Sequence, residues 1–201
     1  GTLTVATSDL LRDQLDITGG AGATTLIGSG DVGQSGANSL RLATTGVETV
    51  SLALDDDAST IVGSTVDFQD TTGVEKLVLT NALVSGGTAK ATFDEKLTLK
   101  DLEENFTVSM QTADTDGALI GDGSDGIFVE NVNRSSTTIN IDDEGTLGAI
   151  TLKDLDLASS YTTVNVTGKS AKALTVEDIT GAGITTVTLD NSVTASAGAM
   201  T

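Results

Sequence analysis

Short runs in which apolar residues alternate with Thr, Ser, Asn or Lys recur along almost the whole of this chain. Ten such runs begin with ETVSLAL (48–54) and EKLVLTN (75–81) and end with KALTVEDI (172–179) and GITTVTLDN (183–191). Strict alternation is typical of a strand with one buried face, and Val and Thr favour strands because branching at Cβ suits a pleated surface. The sequence therefore predicts an all-β fold.

The side chains available for a core are small. Hydrophobic residues make up 38% of the chain, but aromatic residues only 2%, and there is no Trp. Large aromatic side chains bury the most area per residue and usually anchor a wide core. A chain that lacks them is better suited to a narrow interior of stacked Val, Leu, Ile and Ala.

The spacing of the strands indicates how they are arranged. Five successive strand centres lie 10–14 residues apart, at Ile139, Ile150, Val164, Leu174 and Val187. Two such steps make a unit of about 24 residues, which is a reasonable rung of a parallel β-solenoid, a β-helix-like fold of short strands. An antiparallel β-sandwich also has short strands at such spacing and is the alternative. In the solenoid we expect one interior to be lined by Val50, Leu52, Leu77, Leu79, Ile139, Ile141, Val164, Val166, Leu174, Val176, Val187 and Leu189.

Two segments repeat closely. TTGVETVSL (44–52) and TTGVEKLVL (71–79) are offset by 27 residues. We expect Gly46 and Gly73 to lie in equivalent turns and Val47 and Val74 to point inward. A turn repeated before an alternating strand indicates one supersecondary unit that is used again.

The first 45 residues differ from the rest. Residues 8–16 (SDLLRDQLD) predict a short helix, with Ser8 or Asp9 as its N-cap, and a glycine-rich stretch follows at 19–36. We therefore divide the chain into a glycine-rich N-terminal segment, 1–45, and a repetitive β-strand domain, 46–201.

The chain is strongly acidic. It has 29 Asp and Glu against 10 Lys and Arg, which gives a formal net charge of −19. That charge repels nucleic acids and anionic membranes and attracts divalent cations. No apolar run approaches the roughly 18 residues of a membrane span. We expect no nucleic-acid partner and no membrane insertion. We also expect this chain to be a processed product or a fragment of a longer protein.

One acidic segment matches the needs of calcium. Calcium binds six to eight oxygens, several of them from carboxylates separated by flexible residues. The segment DTDGALIGDGSDG (114–126) alternates such carboxylates with glycines, and an acidic surface loop is its plain structural interpretation. The predicted calcium ligands are Asp114, Asp116, Asp122 and Asp125. The segments LDDDAST (54–60) and IDDEGT (141–146) are less specific candidates.

Catalysis is not expected. The chain has no His and no Cys, so the usual general base and thiol nucleophile are absent. A carboxylate pair acting on glycans is the remaining option, with Asp142 and Asp143 as its candidates. Sugar-binding sites usually contain aromatic side chains that stack on the sugar, and this chain has few aromatic residues and no Trp. We expect that the protein is not an enzyme.

The two TGVE strands and ITGGAGATTLIGSG (17–30) resemble type I-secreted bacterial surface proteins, the S-layer proteins and adhesins related to repeats-in-toxin proteins. The resemblance implies an extracellular, calcium-loaded β-solenoid that builds a lattice or a fibre at the cell surface. Thr24 stands where the glycine-rich nonapeptide of that family has its Asp ligand, so the calcium β-roll itself is not implied.

Two functions remain open. The first is a structural one, a self-assembling subunit of an S-layer, sheath or extracellular filament. The second is an adhesin or passenger stalk that binds a host or cell-surface ligand, such as a glycan. The ends of a solenoid are open sheet edges. Proline cannot donate a backbone hydrogen bond and so blocks pairing at such an edge, but this chain has no Pro. The sequence therefore favours self-assembly and a homo-oligomeric partner.

Overall fold

A computed structural model describes residues 2–6, 14–18, 25–32, 39–54, 64–81, 91–93, 96–112, 115, 117–121, 125–144, 147–190 and 194–195. These residues form strands and turns and no helix. The strands in chain order are β1 (Thr2–Ala6), β2 (Gln14–Thr18), β3 (Thr25–Val32), β4 (Ser39–Thr45), β5 (Thr49–Leu54), β6 (Ser64–Asp67), β7 (Lys76–Asn81), β8 (Ala91–Phe93), β9 (Leu97–Lys100), β10 (Phe106–Gln111), β11 (Ala118–Ile120), β12 (Ile127–Glu130), β13 (Thr138–Asp143), β14 (Ile150–Leu157), β15 (Thr163–Gly168), β16 (Leu174–Thr180), β17 (Thr186–Asp190) and β18 (Thr194–Ala195).

The strands form two sheets, and the chain passes back and forth between them along the solenoid. Sheet A has eight strands in the order β1-β3-β5-β7-β10-β13-β15-β17. Sheet B has ten strands, with β18-β16-β14-β12-β9-β6-β4-β2 as its main path and the short strands β8 and β11 beside it. Every described pair of neighbouring strands is parallel, as between β5 and β7 or between β14 and β16. The fold is therefore the predicted parallel β-solenoid, and the sandwich alternative is wrong.

The repeated TGVE segments lie directly above one another. Val50 of β5 pairs in register with Leu77 of β7, which is the 27-residue offset of the sequence repeat. Gly46 and Gly73 precede these strands with φ angles of 72° and 84°. Glycine adopts this left-handed conformation without the steric cost that a Cβ imposes. The prediction of equivalent turns is confirmed.

The interior between the two sheets is mostly aliphatic and also contains the buried rings of Phe68, Phe106 and Tyr161. Val47, Val74 and ten of the twelve predicted interior residues are buried, and Val187 is partly buried against the core. Leu189 was predicted to be interior but is 48% exposed. It lies in β17, the last strand of sheet A, so no further described strand packs beyond it at the end of the solenoid.

The turns that lead from sheet B to sheet A also stack. Leu102 and Tyr161 are fully buried at two of these turns, and the Tyr161 hydroxyl donates to Asn131 Oδ1, in the turn between them, at 3.3 Å. The Arg134 guanidinium reaches back to an earlier turn, where Nη2 donates to the carbonyl oxygens of Phe68 (3.0 Å) and Thr71 (2.6 Å). These turns are thereby fixed to one another by side chains as well as by the backbone ladder.

The N-terminal strands continue the same two sheets. β1 and β3 pair within sheet A, and β2 and β4 within sheet B. The predicted helix over 8–16 is wrong at its C-terminal end, because residues 14–16 belong to β2, where pairing with β4 overrides the local helical pattern. Residues 8–13 lie outside the described residues, and the domain boundary at 45 and 46 stays a prediction.

Candidate cation-binding acidic face

Sheet B contains an insertion between β11 and β12. Both short strands pair with the single longer strand β14, so that Ile120 lies opposite Leu152 and Ile127 opposite Leu155. Six residues lie between Ile120 and Ile127, but only two lie between Leu152 and Leu155. We call residues 121–126 the acidic insertion.

Two glycines allow the chain to return to the sheet after this insertion. Gly121 has a φ angle of 88°, and a Cβ on it would lie 1.8 Å from the carbonyl oxygen of Asp125. A Cβ on Gly126 would lie 2.2 Å from the carbonyl oxygen of Asp154. Both distances are far below a van der Waals contact, so only glycine fits at these positions. The close return brings Asp125 next to the middle of β14.

Three carboxylates on successive rungs follow from this arrangement. Asp154 of β14 is the register partner of Asp178 of β16, and Asp125 precedes β12 on the opposite side of β14. We call Asp125, Asp154 and Asp178 the acidic column. Like charges directly opposite each other on neighbouring strands are destabilising.

The electrostatic state of Asp154 reflects these neighbours. Its pKa is raised above the ordinary value by burial and then by the charges of Asp156, Asp178 and Asp125. Its Oδ1 atom is buried and has no hydrogen-bond partner. The adjacent Lys153 does not neutralise it, since the Lys153 ammonium donates to both carboxylate oxygens of Glu177 at 2.8 Å.

The acidic column can attract a divalent cation, but it does not by itself form a complete coordination sphere. Within the described ranges, no three or more acidic side chains converge closely enough to hold a metal ion. Calcium needs six to eight oxygens, so water, another chain or the remaining residues of the insertion would have to supply the others.

The predicted calcium ligands fall only partly within the described residues. Asp125 lies at the end of the acidic insertion, half-buried and within electrostatic reach of Asp154. Asp114, Asp116 and Asp122 lie outside the described residues, as do residues 55–60 of the LDDDAST segment. The four-residue calcium site therefore stays a prediction.

Asp154 and Asp178 were not among the predicted ligands. Each lies in an alternating run that was interpreted as an ordinary strand, and 24 residues separate them in sequence. The predicted rung of about 24 residues was the signal that could have found them, because a parallel solenoid of that period places residues i and i+24 side by side.

The three carboxylates of the IDDEGT segment have protein partners in the described part of the chain, although Asp142 Oδ1 is buried without a hydrogen-bond partner. Asp142 is buried and accepts a hydrogen bond from the Lys169 ammonium, which raises the Lys169 pKa. Asp143 is buried and accepts from the backbone N–H of Lys169 at 2.8 Å. The Lys76 ammonium donates to Glu144 and lowers the pKa of that carboxyl. The candidate catalytic pair, Asp142 and Asp143, is thus held by ion pairing and hydrogen bonding across adjacent rungs.

Comparison of the chain with protein-family models, with curated protein sequences and with solved structures finds no match. None of the described residues belongs to a helix that is long and apolar enough to cross a membrane. The solenoid and the chemistry of its surfaces are therefore the features that bear on function.

Proposed function

We propose that this protein is a structural cell-surface protein, a self-assembling subunit of an S-layer, sheath or extracellular filament whose association is assisted by calcium. The observation that carries the proposal is the acidic column, which aligns like charges along sheet B while the adjacent Lys153 pairs with Glu177. A divalent cation relieves that repulsion and can take further oxygens from a second chain.

The rest of the molecule supports a structural role. Its interior is filled by aliphatic side chains from both sheets, and its turns are fixed to one another by Arg134 and Asp101. In a rod of stacked parallel rungs each rung contacts only its neighbours, which makes it suited to a structural role. The extracellular location rests on the resemblance of the TGVE strands to secreted surface proteins.

Light scattering under three conditions tests the proposal. At −19, copies of the chain repel one another over a Debye length of about 8 Å at physiological salt. We expect monomers in chelator at low salt and ordered oligomers in millimolar calcium. Sodium chloride at the same ionic strength should be less effective, because screening does not replace coordination. Equal association in all three conditions would assign assembly to apolar contacts, and no association in any of them would contradict the proposal.

One observation favours the alternative, an adhesin or stalk that binds a surface glycan or another cell-surface ligand. The turn after β12 is held rigidly by Asp101 Oδ1, which accepts from the backbone N–H groups of Val132 (2.7 Å) and Asn133 (2.6 Å). The Val132 side chain is nevertheless 67% exposed. A fixed turn with an exposed apolar tip is suited to binding, and a glycan array probed with the wild type and with Val132→Asp tests it.

A further inference from the structure

The last strand of sheet A, β17, has one exposed edge. In each preceding strand of this sheet, the corresponding edge is covered by the next strand. Leu189 of β17 is 48% exposed, whereas its register partner Val166 of β15 is fully buried. β17 pairs with β15 on one side and has no partner on its other side among the described strands. Among the described strands, β17 is therefore a sheet edge that can accept another strand, with Leu189 as its apolar position.

Leu189 is the final member of a register column that passes through all eight strands. Successive strand pairs align one apolar residue from each strand, and the column runs from β1 to β17 without a polar member. It consists of Leu3, Leu26, Val50, Leu77, Val108, Ile141, Val166 and Leu189. Both edge strands of sheet A thus have a leucine at the same position of the repeat.

The positions that flank this column are also compatible. On β1 they are Thr2 and Thr4, and on β17 they are Thr188 and Asp190. If the repeat were continued from one edge to the other, Thr188 would adjoin Thr2 and Asp190 would adjoin Thr4. No like charges would be opposed at these three positions, in contrast to the acidic column on sheet B.

We propose that a second copy of this chain occupies the open edge of β17, with its β1 paired in parallel against β17 and its Leu3 in register with Leu189. This inference rests on the proposed self-assembly and specifies its geometry. The contact is head-to-tail, since it joins different edges of the two copies. Such a contact leaves a free β17 edge at one end and a free β1 edge at the other, so it generates filaments rather than closed dimers.

Two single substitutions test the geometry, because each blocks one edge only. Leu189→Lys places a charge at the β17 edge, and Leu3→Lys places one at the β1 edge. Each variant alone should lose association in calcium by about tenfold or more, a factor that corresponds to roughly 1.4 kcal/mol. The added lysine lowers the net negative charge of the chain, so general repulsion between copies cannot account for the loss.

A mixture of the two variants gives the decisive result. Leu3→Lys retains an intact β17 edge and Leu189→Lys an intact β1 edge, so an equimolar mixture should form one-to-one heterodimers and nothing larger in analytical ultracentrifugation. Leu147→Lys is the matched control. Leu147 is 53% exposed, similar to Leu189, but lies outside every strand, and its variant should assemble like the wild type.

Different failures have different meanings. If the wild type assembles in calcium and Leu189→Lys assembles equally well, the edge contact is wrong and the proposed function survives. If Leu189→Lys only lowers the thermal midpoint and leaves association unchanged, residues of the same chain cover the edge, and the inference is again overturned. If the wild type does not assemble, the proposed function and the edge contact both fail. Circular dichroism of Leu3→Lys is the control that distinguishes a loss of association from a loss of the β fold.

Discussion

Replacing Asp154 with Asn should have opposite effects on stability with and without calcium. The substitution removes one charge from the acidic column while it keeps the size of the side chain. In chelator this relieves repulsion from Asp178, Asp156 and Asp125, the three charges that raise the Asp154 pKa after burial. In calcium the same substitution removes a carboxylate that attracts the ion.

The magnitude follows from the strand spacing and the exposure of the partner. Two charges about 5 Å apart repel by about 3 kcal/mol at an effective dielectric constant near 20. Asp178 is exposed, and solvent screening reduces such cross-strand pairs to about 0.2–1 kcal/mol. We therefore expect Asp154→Asn to stabilise the protein by about 1 kcal/mol in chelator. That corresponds to about 2–4 °C in the thermal midpoint for a chain of this length.

Calcium should reverse the order of the two proteins. An ion that binds only the folded state stabilises it by about 2.7 kcal/mol at a hundredfold excess over Kd. The wild type should gain most of this in millimolar calcium and Asp154→Asn little, so that the wild type becomes the more stable of the two. Urea unfolding, measured in chelator and in calcium, gives all four free energies.

Asp70→Asn is the control, because Asp70 forms an ion pair with Arg41 at 2.5 Å and lies away from the acidic column. This variant should gain no stability in chelator and should keep the full response to calcium. The reasoning is refuted if Asp154→Asn is less stable than the wild type in chelator. An unchanged calcium increment would refute the role of Asp154 in attracting the ion.

Three other perturbations have defined outcomes. The pKa of Asp154 is raised from 3.8 in the fold, so its destabilising effect is lost as the pH falls through the raised value and is absent below 3.8, and the advantage of Asp154→Asn in chelator should vanish in urea titrations below that pH. Burial raises the pKa of Asp101, but hydrogen bonds from Asn133, Val132 and Arg134 outweigh it and hold the pKa below 3.8. Its stabilising effect is complete above 3.8 and is lost as the pH falls through the lowered value, so Asp101→Asn should cost about 1–3 kcal/mol at neutral pH and less in acid. Arg134→Lys should cost about 1–3 kcal/mol in urea unfolding, because an ammonium cannot reproduce the planar fork that reaches Phe68, Thr71 and Glu103. An Arg134→Lys variant as stable as the wild type would contradict that role.

The parts of the fold that sequence predicted correctly are those set by local chemistry. Alternation identified the strands of the second half, and the glycine before each TGVE strand identified equivalent turns. The offset between these turns then gave the register of β5 and β7. Such features are visible in sequence because glycine and alternation act over a few residues.

The errors come from terms that act over longer distances. Leu189 has the alternation of a buried residue, but burial requires a following rung, which no local pattern encodes. Residues 14–16 fit a helical pattern, and pairing with β4 makes them a strand. Arg134 gave no local signal of its role, since the carbonyl oxygens that it reaches lie more than 60 residues earlier in the chain. The acidic column was missed for the same reason, because its members come from three rungs.

The same stacking rule makes some polar columns stabilising and others destabilising. Asn165 Nδ2 donates to Asn140 Oδ1 at 2.9 Å, and Asn140 Nδ2 donates in turn to the Asn105 carbonyl oxygen at 2.8 Å. An amide both donates and accepts, so each rung satisfies the next. A carboxylate only accepts, and the aligned Asp154 and Asp178 repel until a proton or a cation is supplied. We therefore expect one divalent ion to affect both the stability of the rungs around the acidic column and the repulsion between whole chains. Calcium should strengthen the fold and promote association over the same range of concentration.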